Sequence, residues 1–249
     1  MHFRKSKSKL AILLLFIACC GFKVHSQTNS EIALYNRFDS IVGKENLGVN
    51  NGTLHSNPFR VFDGNNMYYK ADRYSKGNVF YDGQMYYDVN LKYDIYRDQL
   101  ILNPHGQAEY IGVNLIQSKT ESFLLNGNKF VNLAGYKSPS MDFLSGYYEE
   151  ILISNKLTFF IKHHKNKLEV IQNDQVYYKF LDDNTIIIKF KNIFYNANSK
   201  KEISKIFPKQ KSKINDFYSN NRIVEKSNKI VFTANLLNYI NGLITNESN

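Results

Sequence analysis

The stretch that most limits what this chain can fold into is Met85 to Ile95. Met85, Tyr87, Val89, Leu91, Tyr93 and Ile95 fall on one side of an extended chain, and Tyr86, Asp88, Asn90, Lys92 and Asp94 on the other. Strict alternation over this length predicts a strand with one buried and one wet face. Asp82-Gly83 precedes it and follows Asn78-Val79-Phe80-Tyr81. Asp-Gly accepts the positive φ values of a two-residue hairpin turn, so these strands are expected to pair antiparallel.

The same punctuation recurs. Asp63-Gly64 separates Phe59–Phe62 from Met67–Lys70, and Asn126-Gly127 separates Ser122–Leu125 from Lys129–Leu133. Ser154-Asn155 lies between Tyr147–Ile153 and Lys156–Lys162. Further strands are expected at 98–103, 109–114, 176–181 and 185–195, and a short leading helix at 31–42. The predicted fold is α+β and mainly β. An antiparallel meander over 27–198 closes into a sandwich or a strongly curved sheet.

Near residue 198 the period changes from two to 3.6. Ser199 and Glu202 have the spacing of a capping box, which satisfies exposed amides at a helix start. Ile203, Ile206 and Phe207 follow, and Pro208 closes that helix. A second helix groups Ile214, Phe217 and Tyr218. A third, capped by Ser227 or Asn228, turns Val231, Leu236, Leu237, Ile240 and Leu243 inward. Helices this short need tertiary packing, so 199–249 is expected to pack on the β domain.

Residues 1–26 read as a signal peptide. Arg4, Lys5, Lys7 and Lys9 form a basic start, and Leu10 to Cys20 is an apolar run of 11 residues. Val24-His25-Ser26 then supplies a cleavage site, with the cut between Ser26 and Gln27. Eleven residues fall short of the roughly 20 that a spanning helix needs. A competing reading is lipoprotein anchoring at Cys19 or Cys20. Ile17-Ala18-Cys19 before Cys20 fits the lipidation pattern poorly, and Phe16-Ile17-Ala18 before Cys19 fits better directly before the cysteine and worse two residues earlier.

The chain carries 32 basic and 22 acidic residues, a formal charge of +10. The leader holds five of the basic ones and no acid, which leaves 27 against 22. Residues 27–199 balance at 18 of each sign, and 200–249 hold nine basic and four acidic residues. The excess therefore sits in the helical tail, where it could meet anionic lipid or remain a solvated face. Both cysteines leave with the leader, so the remaining chain has no disulfide, thiolate metal site or cysteine nucleophile. About 220 residues can still bury a core without them.

No catalytic or metal-ligating constellation emerges, and nothing calls for a cofactor. His163 and His164 are adjacent in a predicted strand, point to opposite faces and read as a solvated pair. Glu149 and Glu150 alternate in and out, and Asp182-Asp183 sits at a turn. General acid–base chemistry needs carboxylates that converge on one cleft, and the sequence shows no convergence. Tyrosines are paired within strands, as at 68–69, 86–87, 147–148 and 177–178. One ring of each pair should face out. Tyr86, Tyr148 and Tyr177 are thus candidates for a recognition surface that stacks on sugars or a partner. Tyrosine also simply suits strands.

The run from Tyr81 to Asp94, preceded by Asn51-Gly52-Thr53, resembles exported β-rich proteins of Gram-negative envelope bacteria. Ser199 to Pro208, with Ile214, Phe217 and Asn221, is similar to their C-terminal segment. The resemblance covers most of the chain beyond the leader, and implies neither an activity nor catalytic residues. The expectation is a non-enzymatic binding or assembly protein of the cell envelope. It would be periplasmic, associated with the outer membrane, or extracellular. Its partner would be an envelope protein, glycan or lipid, since export argues against nucleic acid. The alternatives are an envelope hydrolase with a site assembled from distant residues, and a carrier of a lipid or apolar ligand in a curved sheet. Strands of five to seven residues are short for an outer-membrane barrel.

Overall fold

A computed structural model describes residues 24–61, 64–136 and 144–246. The positively charged start, Cys19 and Cys20 lie outside them. The described residues fall into two compact units, one ending at Leu47 and the other beginning at Gly48. In the first, helix α1 (Val24–Val42) is followed by a 3₁₀ turn at Lys44–Asn46. It extends the leading helix expected at 31–42 and exposes Leu34, Phe38 and Ile41. Among the described residues no helix is long and apolar enough to cross a membrane.

The second unit is mainly antiparallel β with a C-terminal helical segment. Its strands are β1 (Thr53–Leu54), β2 (Ser75–Tyr81), β3 (Gln84–Asp94), β4 (Gln99–Asn103), β5 (Val113–Asn114), β6 (Thr120–Leu125) and β7 (Asn128–Asn132). They continue as β8 (Tyr147–Ser154), β9 (Leu157–Lys162), β10 (Lys165–Gln172), β11 (Gln175–Asp182), β12 (Thr185–Phe190) and β13 (Ile193–Asn196). Eleven form one open sheet in the order β1-β5-β4-β3-β2-β6-β7-β8-β9-β12-β13, and β10 and β11 form a separate hairpin.

The sheet is rolled. Strands β3 and β7 are separated by β2 and β6, which in a flat sheet would put them about 14 Å apart. Yet the rings of Tyr93 on β3 and Phe130 on β7 have centroids 5.4 Å apart, and Tyr93 lies 5.8 Å from Tyr147 on β8. Phe123 and Phe130 stack at 4.6 Å, and both meet this cluster edge to face. Aromatic rings therefore fill the concave side. Bulges at Gly77/Val79, Phe80/Tyr81 and Leu152/Ser154 add local twist and bend. Gly77 is needed for the close approach of β2 to β6, since a Cβ there would sit 2.3 Å from the Leu124 carbonyl oxygen.

The bulge in β3 corrects the expected alternation. Gly77 opposes Val89 but Val79 opposes Tyr86, so β3 holds one extra residue. Asp88 takes that place with φ +55°. Its amide donates to Asn78 Oδ1 at 3.1 Å, and its carbonyl accepts from Lys76 Nζ at 2.9 Å. One inserted residue swaps the faces of everything before it. Leu91 and Tyr93 point inward as read from the sequence, and so does Tyr86, which is 4% exposed.

Several turns follow their dipeptides. Asp82-Gly83 and Asn126-Gly127 both adopt positive φ between paired strands. Two turns without glycine were not expected. Asn173-Asp174 closes β10 onto β11, and Lys191-Asn192 divides the stretch 185–195 into β12 and β13. Strand β10 itself has no counterpart among the predicted strands.

The hairpin expected around Asp63-Gly64 does not form among the described residues. Met67, Tyr68 and Tyr69 are buried in succession, which a two-faced strand cannot do. Met67 and Tyr68 pack with Ile101 and Phe180 instead, and Val61 makes an isolated parallel bridge to Tyr178.

The helices are α2 (Lys200–Ile206), α3 (Lys211–Asn220), α4 (Arg222–Ser227) and α5 (Lys229–Asn246). Ser199 and Glu202 form both halves of the capping box, and Asn228 Oδ1 caps α5 by accepting from the Val231 amide at 3.0 Å. Ile203, Phe207, Ile214, Phe232, Leu236, Leu237 and Ile240 close over Leu157, Phe159, Ile161, Ile186 and Ile188. Val231 is a correction: it is 45% exposed, while its neighbour Phe232 is buried.

Candidate functional site

Strand register decides which side chains share the convex face. Val131 opposes Tyr148, Glu150 opposes Phe160, and Phe160 opposes Ile187. Leu133, Leu144, Tyr148, Phe160, Ile187 and Phe194 form a small apolar cluster there. Above it opens a cleft of about 480 Å³, whose walls include Glu121, Lys129, Tyr136, Glu150, Lys189 and Phe194. Lys129 Nζ pairs with Glu150 Oε2 at 2.6 Å. The Tyr136 ring meets Phe194 edge to face at 6.0 Å and remains 53% exposed. Lys189 Nζ sits 5.6 Å from the centre of the Phe194 ring. The cleft thus presents aromatic surface beside charges of both signs.

Of the tyrosines read as a recognition surface, two are corrected by burial. Tyr86 is turned in by the β3 bulge. Tyr148 is 7% exposed and lies in the apolar cluster beneath the cleft, with Lys162 Nζ 5.1 Å from its ring centre. Tyr177 is half-buried on β11, where the Arg60 guanidinium lies 5.7 Å from its ring centre. The three rings do not make one surface. Tyr136, which the sequence reading passed over, carries the exposed ring. It lies outside any strand and has no pairing pattern to mark it.

His163 is also a correction. It is not solvated and lies between β9 and β10, with its side chain 11% exposed. Nε2 is 2.5 Å from Glu149 Oε2. The Tyr69 hydroxyl donates to the same oxygen at 3.3 Å and accepts from Asn128 Nδ2 at 2.5 Å. Burial pushes the Tyr69 phenol pKa up, and the neighbouring Glu149 carboxylate adds to this. The Tyr69 and Phe130 rings enclose the imidazole at 4.8 and 6.0 Å. The sequence separates these groups by up to 94 positions, so no local motif could announce them. His164 Nδ1 reaches the Ile95 carbonyl at 3.2 Å.

A second, partly buried network centres on Asp98. Its carboxylate accepts from the Tyr93 hydroxyl at 2.6 Å, Lys162 Nζ at 2.6 Å and Gln117 Nε2 at 3.1 Å. Burial lowers the Lys162 pKa, and Asp98 opposes that shift. The first network lies on the concave side, and the second ties the β3–β4 turn to the end of β9. Glu150 faces the other way, as the alternation predicted, and Asp183 accepts from Asn166 Nδ2 at 2.9 Å. Ser26 and Gln27, the expected cleavage pair, fall in the first turns of α1.

Comparison with protein-family models, with curated proteins and with solved structures finds no match.

Proposed function

We propose that this is a non-enzymatic, exported binding protein of the cell envelope, related to the exported β-rich proteins it resembles, and that its convex-face cleft holds a glycan. The observation that carries the reading is the half-exposed Tyr136 ring beside the Lys129–Glu150 pair. Sugars present apolar ring faces rimmed by hydroxyls, which suits an aromatic platform flanked by fixed donors and acceptors.

Two features favour binding over the alternatives. The Glu149–His163 pair is closed in by Tyr69 and Phe130, and both side chains are 11% exposed. The concave side, where a carrier would need a lumen, is filled by Tyr93, Phe123, Phe130 and Tyr147.

Titration calorimetry of the purified protein against a panel of envelope-type oligosaccharides tests the reading. At least one is expected to bind, and Tyr136→Ala to weaken it about tenfold with unchanged thermal unfolding. Full affinity in Tyr136→Ala, or no binding across the panel, overturns the glycan assignment.

A further inference from the structure

Four of the tail's nine basic residues are gathered in one place. Helices α2 and α3 border a cleft of about 780 Å³ whose walls include Lys200, Lys201, Lys205, Pro208, Lys211 and Asn215. Among the described residues none of these four lysines has a carboxylate within ion-pair distance. The nearest acid in sequence, Glu202, is folded back on Ser199, where its Oε2 accepts from the Ser199 amide at 2.9 Å and the hydroxyl at 3.0 Å. Asp216 is exposed on α3 and does not line the cleft. Lys200 Nζ lies 5.4 Å from the centre of the Tyr218 ring. Lys201 and Lys205 stand at i,i+4, a spacing at which like charges destabilise a helix.

The walls below the ammonium groups are mostly apolar, made by lysine stems and the Pro208 ring. Lysine stems routinely cover apolar surface while the charged head stays in water. A free anion would use the rim alone. An amphiphile uses both parts, with a phosphate at the ammonium groups and its glycerol and upper acyl region against the stems.

We propose that this cleft docks the phosphate headgroup of an anionic phospholipid and so holds the protein on a membrane surface. This goes beyond the glycan reading, uses different residues and stands if that reading fails. Lysines near an anionic surface attract it strongly, and the attraction fades with salt within a Debye length.

Sedimentation of the purified protein with vesicles tests the proposal. Binding to phosphatidylglycerol vesicles and not to phosphatidylcholine vesicles is expected. Lys201→Gln/Lys205→Gln/Lys211→Gln should bind roughly a hundredfold more weakly. A charge-matched control, Lys156→Gln/Lys226→Gln/Lys229→Gln, should stay within about threefold of the parent protein. Circular dichroism melts verify that both variants fold. Equal loss in the two variants would mean diffuse attraction by net charge and overturns the cleft. Release by millimolar inorganic phosphate at constant ionic strength reassigns the site to free phosphate and overturns the lipid, as does absence of binding to anionic vesicles.

Discussion

The two ends of the rolled sheet are held by different physics. Around β3, β6, β7 and β8 the concave side is aromatic, with Glu149, His163 and Tyr69 joined within it, and Asp98 with Lys162 and Tyr93 ties the sheet beside it. Around β9 and β12 it is mainly aliphatic, with isoleucines and leucines beside Phe159 under the C-terminal helices. Rings and hydrogen bonds have preferred directions, so the first end fixes how far the sheet curls. Aliphatic burial is non-directional and scales with area, so the second end supplies cohesion. Curling leaves one end closed by its own strands. The other needs a lid, and the helices provide it.

This contrast can be broken at either end. Asp98→Ala has the largest expected effect. It strips Lys162 of its counter-ion and Tyr93 of its acceptor in a site where both carboxylate and ammonium are largely buried. A loss of about 4 kcal/mol is expected, because removing one partner leaves the other charge uncompensated. The urea midpoint measures it, and near-UV circular dichroism should report loosened tyrosines.

Leu236→Ala, at a fully buried position under the helices, should cost about 3 kcal/mol from lost transfer and the cavity left behind. Here far-UV helical signal should fall at lower denaturant than the near-UV aromatic signal. Coincident transitions in both variants would mean that the two ends unfold as one unit and remove the distinction.

The smallest effect is expected at Asp94, which sharpens the picture of the aromatic end. Oδ1 accepts from the Tyr96 and Arg97 amides at 3.0 and 2.9 Å. Burial raises its pKa, against the opposing pull of those amides and of Arg97. A carboxylate whose folded pKa is raised binds its proton more tightly when folded. Stability is then highest below the unfolded value of about 3.8 and falls as pH rises through the folded value above it. Asp94→Asn keeps the acceptor and removes the titration. It should match the parent protein at acid pH and equal or exceed it at neutral pH by up to about 1 kcal/mol. Thermal melts across that range give the difference, and a parallel loss at every pH would refute the desolvation argument.

Much of this molecule could be read from local pattern. Alternation and the Asp-Gly and Asn-Gly turns identified the meander, because period two and positive φ are properties of neighbouring residues. The capping box at Ser199 and the change of period near 198 placed the start of the helices for the same reason. The readings that failed depended on distance. The bulge at Asp88 leaves no trace in an otherwise perfect alternation, yet it turns Tyr86 from a candidate recognition ring into core. Tyr148 was read as outward, and outward it is, but only the convex cluster shows that this side is also covered. His163 looked solvated because its partner, Glu149, lies on another strand.

By itself, then, the sequence determined the antiparallel β class, the helical tail, most turns and the location of the excess charge. Each depends on backbone preference and on the order of polar and apolar residues along a few positions. Tertiary structure alone decided the curl of the sheet, the two polar networks, the exposed ring at Tyr136 and the grouping of four lysines into one cleft. Those depend on residues far apart in the chain, brought together when an eleven-stranded sheet rolls and four helices close its aliphatic end.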